Sequence, residues 1–133
     1  NPSGRTITST TMSSYEEGTW VPTANGVNLN HRASAYVKIG NLVHITTYIT
    51  IPPNSDTNPC ELLGLPFKSK SRNDLWHGLG MGWNNGLTTP HFWIIPASST
   101  KLQLRIGTTG NSVQYKSVAD KSFMITGTYY VDE

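Results

Sequence analysis

The chain has 133 residues, only 14% of them charged, and a formal net charge of +2; this length suits one domain that buries roughly two thirds of the surface its unfolded form exposes. Its ten cations are scattered and form no block able to neutralise many phosphates, so no nucleic-acid partner is expected. The single cysteine, Cys60, excludes an internal disulfide framework and a multi-cysteine zinc site, and the chain shows neither a membrane-length apolar run nor a signal-peptide pattern at its start, so no membrane insertion is expected.

Residues Asn1 to Ser14 are rich in Ser and Thr and read as a lead-in or coupling arm, with residues 15 to 133 as one domain. From Gly18 onward, short β-type runs alternate with turn clusters, which predicts an all-β antiparallel sandwich. The first runs are Thr19 to Thr23 and Ala35 to Ile39. Gly40-Asn41 then reads as a two-residue hairpin turn of type I′ or II′ leading into Leu42 to Ile51. Within that long run Val43, Ile45, Thr47, Ile49 and Ile51 share one face, expected to be core, while Leu42, His44, Thr46, Tyr48 and Thr50 share the other. Apolar residues on both faces suggest burial beyond the core of one copy.

Pro52-Pro53-Asn54-Ser55-Asp56 ends the run, because proline lacks a ladder donor and the residues after it favour turns. A strand is predicted at Glu61 to Leu65, an exposed loop at Lys68 to Asp74, and a strand at Trp76 to Trp83 with Gly78, Gly80 and Gly82 at alternate positions. A face bare of side chains suits close approach by something large, such as a neighbouring subunit. After the turn at Asn84-Asn85-Gly86 come strands at Phe92 to Ile95, Leu102 to Ile106 and Phe123 to Val131, with Val113 to Lys121 at most a short helical turn. The total is about eight strands, whose unequal loops fit a Greek-key or jelly-roll sandwich.

Candidate chemistry is sparse. His31, His44, His77 and His91 are scattered without metal-ligand spacing, His44 and His77 reading as strand residues and His31 and His91 as loop residues, so neither metal nor cofactor is expected. The eight carboxylates form no acid/base pair: Glu16 and Glu17 are adjacent and point opposite ways in an extended segment. No serine sits in a nucleophile elbow and no glycine pattern makes a phosphate loop, so the chain is not read as an enzyme. Trp83, Asn84, Asn85 and His91 cluster around one turn and form the candidate ligand site, since sugars stack on aromatic rings while amides bond their hydroxyls. The competing reading is that Trp20, Trp76, Trp83 and Trp93 fill the core or a subunit interface. Core or trimer anchors are expected at Trp20, Trp76, Gly78, Gly80, Gly82 and Tyr129.

Three blocks stand out: Tyr15-Glu16-Glu17-Gly18-Thr19-Trp20-Val21-Pro22-Thr23, Tyr36-Val37-Lys38-Ile39-Gly40-Asn41-Leu42-Val43 and Gly64-Leu65-Pro66-Phe67, followed by a closing Gly127-Thr128-Tyr129-Tyr130-Val131. Together they resemble the C-terminal head domains of bacteriophage tail fibres, tailspikes and related virion appendages, over about Tyr15 to Val131. The resemblance implies a homotrimeric jelly-roll head, similar to tumour-necrosis-factor or fibre-knob folds, made in the host bacterial cytoplasm and carried on the virion. It implies an upstream shaft of the same fibre or spike and a bacterial surface polysaccharide as partners. The alternative it carries is a trimerisation or intramolecular-chaperone domain for that shaft. Some such relatives are released by self-cleavage, so Asn1-Pro2 reads as a cleavage product or a cloned fragment. The segment Lys68 to Pro96 matches nothing in the resemblance and, as a variable region, is where receptor contacts are expected.

Overall fold

The computed structural model describes residues 15–71, 77–84 and 86–132, with 77–83 described by backbone alone. The arm Asn1 to Ser14, Trp76 and Asn85 lie outside the described residues, as does the side chain of Trp83.

Eight strands follow in order: β1 (Tyr15–Thr19), β2 (Asn30–Ile39), β3 (Leu42–Thr50), β4 (Glu61–Leu63), β5 (His77–Asn84), β6 (His91–Ile95), β7 (Lys101–Ile106) and β8 (Ser122–Tyr130). They pair antiparallel throughout, in the order β1-β2-β3-β8-β5-β6-β7-β4. Strand β5 divides this order into two sheets. Its first residues, His77 to Leu79, pair with β6, while Gly80 to Asn84 pair with β8 across a register shift between Met81 and Trp83. Bending from one sheet into the other and accommodating a bulge are what glycines inside a strand permit. The Gly78, Gly80, Gly82 spacing therefore has a reason within one copy, whatever approaches it from outside.

The inner faces of the two sheets meet in one core. Val43, Ile45, Ile49 and Ile51 from the β3 side are fully buried, as are Trp93, Ile95 and Leu102 from β6 and β7. Thr47, the remaining member of the alternation, is buried as well. Trp93 and Phe123 meet edge to face across the layers, with centroids 5.6 Å apart and ring planes at 89°, a preferred aromatic geometry.

Trp20 and Tyr129 both belong to this core: the Trp20 indole Nε1 donates to the carbonyl of Thr46 at 3.2 Å, and the Tyr129 hydroxyl donates to the carbonyl of Phe67 at 2.8 Å. The 3₁₀ turn Tyr115–Val118 carries a second tying phenol. The Tyr115 hydroxyl donates to the Glu61 carbonyl at 2.7 Å and accepts from the N–H groups of Glu61 and Asn25 at 3.1 and 3.3 Å.

Several expected boundaries shift. The first strand is Tyr15–Thr19 instead of Thr19 to Thr23; past Trp20, Pro22 has no N–H to give and Thr23 makes only a single bridge to Leu63. Glu16 and Glu17 therefore lie inside a strand. The second strand begins at Asn30, so His31 is a strand residue, and His91 opens β6 instead of lying in a loop. The fourth strand stops at Leu63, where Gly64 adopts φ +93°. Of the loop expected at Lys68 to Asp74, Ser69 is buried: its Oγ donates to Pro96 O at 2.6 Å and its backbone pairs with Val131. In the Gly40-Asn41 turn only Gly40 has a positive φ, +59°, which fits type II′ and not I′.

Candidate functional site

The blocks that carry the resemblance converge into one packed cluster. Gly18 lies opposite Tyr36 in the β1–β2 ladder, and a Cβ at position 18 would sit 2.9 Å from the Tyr36 ring, so the phenol needs that glycine. The Tyr36 hydroxyl donates to Glu16 Oε2 at 2.5 Å, and its ring meets Phe67 edge to face at 5.3 Å. Lys38 Nζ stands 5.7 Å from the centre of the same Phe67 ring, and Tyr129 holds the Phe67 carbonyl. Gly64 lets the third block pass the first, since a Cβ there would lie 2.5 Å from the Val21 carbonyl oxygen. Glu16 and Glu17 point to opposite faces as expected, Glu17 Oε2 accepting from the Tyr15 hydroxyl at 2.5 Å. These motifs hold the edge of the domain together.

The opposite face of the same sheet is different. Direct cross-strand partners share a face, and Tyr15 pairs with Ile39, Ile39 with Leu42, and Leu42 with Tyr130. This continuous row across β1, β2, β3 and β8 is 42%, 51%, 38% and 43% exposed, residue by residue. A contiguous exposed apolar row, unlike a single exposed side chain, suits contact with another surface.

At the far end of the face, about 20 Å away at the usual rise of a strand, β2 carries a bulge. Arg32 pairs with Tyr48 and Ala35 with Thr46, so Ala33 and Ser34 together oppose Thr47. Ala33 takes φ +55°, a left-handed conformation that alanine rarely adopts. It is held there on several sides. Thr46 Oγ1 donates to Ala33 O at 3.1 Å, Trp20 N donates to Ser34 O at 3.1 Å, and Ser34 Oγ shares hydrogen bonds with Thr47 Oγ1 at 2.8 Å and with His31 Nδ1 at 3.1 Å.

The bulge sets the Arg32 guanidinium over the Tyr48 ring, 4.3 Å from its centre. On one side of this pair is a cavity of about 250 Å³ lined by Asn30, His31, Arg32, Tyr48 and Thr50. On the other is an apolar trough of about 440 Å³ that includes Ala33, Met124 and Thr126. Among the described residues lining the two spaces, Arg32 is the one that is formally charged.

The ligand cluster expected from sequence is placed elsewhere. Asn84 ends β5 in the first sheet and His91 opens β6 in the second, at the two ends of one loop. Both serve that loop locally: Asn84 Oδ1 accepts from Leu87 N at 3.3 Å, and His91 Nδ1 lies 2.7 Å from Thr89 O. Trp83 pairs with Met124 in register, and Asn85 lies outside the described residues. Sequence reasoning missed Arg32 and Tyr48, because an alanine carries no turn signal to announce a bulge.

Among the described residues no group of three metal-ligating side chains comes together, and no helix is long and apolar enough to cross a membrane. No family model, curated protein or solved structure matches the chain.

Proposed function

We propose that the chain is the head of a bacteriophage tail fibre or tailspike, a jelly-roll-like sandwich that assembles as a homotrimer and attaches to a bacterial surface glycan. The observation that carries this reading is the exposed row Tyr15, Ile39, Leu42 and Tyr130. Covering it between copies removes apolar surface from water, each half-exposed side chain contributing on the order of 1 kcal/mol. The jelly-roll topology is supported by two connections that cross between the sheets, from β3 to β4 and from β7 to β8. The convergence of the sequence blocks on Phe67 supports the resemblance as a set of packing requirements.

The apolar row also supports the second reading, an assembly domain that registers three chains of a shaft without touching receptor. Adhesion of the purified chain to the envelope of a susceptible bacterium separates the two. A head binds the envelope; an assembly domain does not, and its deletion instead abolishes trimer formation of the shaft. Absence of both adhesion and assembly overturns both readings.

A further inference from the structure

We infer that the cavity beside Arg32 and Tyr48 is a subsite for a carboxylate-bearing sugar unit, such as a uronic acid residue of an anionic polysaccharide. This rests on the attachment reading above and names the chemistry of its ligand. The first ground is charge. Among the described residues no side chain accepts a hydrogen bond from the Arg32 guanidinium, and neither space beside it is lined by an acid. A planar guanidinium matches a planar carboxylate in charge and in bidentate geometry.

Preorganisation is the second ground. The Tyr48 ring holds the guanidinium above it, 4.3 Å from its centre, before any ligand arrives, and the bulge that aims it is held by four hydrogen bonds to Trp20, His31, Thr46 and Thr47. A left-handed alanine costs about 1–3 kcal/mol and persists where its surroundings over-determine it, a situation that concentrates at ligand sites. Fixing the cation in advance lessens the ordering that binding would otherwise require.

The third ground is the composition of the cavity. Asn30 offers an amide that both donates and accepts, as vicinal sugar hydroxyls require, and the Thr50 hydroxyl, which shares a hydrogen bond with Ser122 Oγ at 2.9 Å, adds an acceptor. At about 250 Å³ the space lies just below the roughly 300–1,000 Å³ of drug-sized pockets and suits a single ring. The apolar trough continuing past Ala33 and Met124 gives the next ring of a chain a surface for its C–H face.

The test is calorimetric titration of the whole chain with uronic-acid and sialic-acid oligosaccharides, each beside its counterpart with the carboxyl reduced to a hydroxymethyl group. At least one acidic member binds, its reduced counterpart binds about tenfold or more weakly, and Arg32→Ala weakens the acidic member by about tenfold to a hundredfold. The Arg32→Ala variant keeps the oligomeric mass of the parent and a denaturant midpoint close to it, and Tyr48→Ala, which removes the platform and leaves the charge, also weakens binding. Equal binding of acidic and reduced forms overturns the inference, as does acidic binding indifferent to Arg32→Ala. Loss of oligomeric mass in Arg32→Ala overturns it too, by making Arg32 a contact between copies. If the parent adheres to the bacterial envelope and no acidic member binds, the inference fails while the attachment reading stands; if adhesion is also absent, both fail.

Discussion

The two sheets share a core but present opposite outer faces. On the β4–β7 side polar side chains bond one another: Glu61 Oε2 accepts from Gln103 Nε2 at 2.9 Å and pairs with Lys101 Nζ at 3.2 Å. Gln103 Oε1 accepts from Arg105 at 2.6 Å, and Arg105 donates onward to Gly110 O at 3.2 Å. On the β1–β2–β3–β8 side an apolar row and a stacked Arg32 face outward. Hydrogen-bond capacity turned inward makes a finished surface, whereas apolar area and a cation turned outward make one suited to another molecule. On the function proposed above, the second sheet's exterior serves stability and the first's serves interaction.

The largest expected effects come from the shared interior and set the baseline for the contrast. Ile45→Ala on β3 and Leu104→Ala on β7 each leave a cavity among fully buried neighbours and each lower stability by about 2–5 kcal/mol in denaturant unfolding. A large effect at one site and a negligible one at the other would mean that the sheets do not share a core. Next, the exteriors separate. Glu61→Ala removes the acceptor that both Gln103 and Lys101 use, lowering stability by about 1–2 kcal/mol. Arg32→Ala loses only an exposed stacking contact and lowers stability by about 0.5 kcal/mol or less. Equal losses in the two variants would erase the distinction.

The smallest effect is a shift in alkaline sensitivity. Burial raises the Cys60 thiol above its ordinary 9.0, with the Glu61 charge adding to it. Burial likewise raises the phenols of Tyr115 and Tyr129 above 10.0, against hydrogen bonds to backbone groups that partly oppose it. Below those ordinary values both folded and unfolded chains keep the protons, and stability is unaffected. As pH rises past 9.0 and then 10.0 the unfolded chain ionises first, so stability falls until the higher folded-state values are passed. Cys60→Ala moves the onset of this loss upward by about one pH unit, read from denaturant midpoints, because only the phenols remain. An unchanged onset would mean that the thiol is not held protonated by the fold.

Much of the architecture was legible because the rules behind it are local. The alternation of Val43, Ile45, Thr47, Ile49 and Ile51 announces one buried face, and the Gly40-Asn41 pair announces a hairpin, since each depends on residues next to one another. The short turn at Tyr115–Val118 falls within the one segment with helical tendency. The candidate site was not legible in the same way. Its bulge turns on Ala33 at a positive φ, which an alanine does not advertise, and is held by Trp20, Thr46 and Thr47 from outside its own strand. The bend of β5 between sheets was hidden too, since alternating glycines speak for a bend and for an approaching partner alike. Of the expected ligand cluster, Asn84 and His91 fall on strands in different sheets because β5 leaves β6 after Leu79.

The central claim is that copies of this chain meet through the row formed by Tyr15, Ile39, Leu42 and Tyr130. Sedimentation at micromolar concentration tests it most directly on the parent chain, on Leu42→Glu, and on Gln103→Lys as a control on the other exterior. A trimeric parent, a trimeric Gln103→Lys and a folded single-copy Leu42→Glu are the predicted result. A parent that sediments as a stable lone subunit, or a Leu42→Glu variant that stays trimeric, contradicts it.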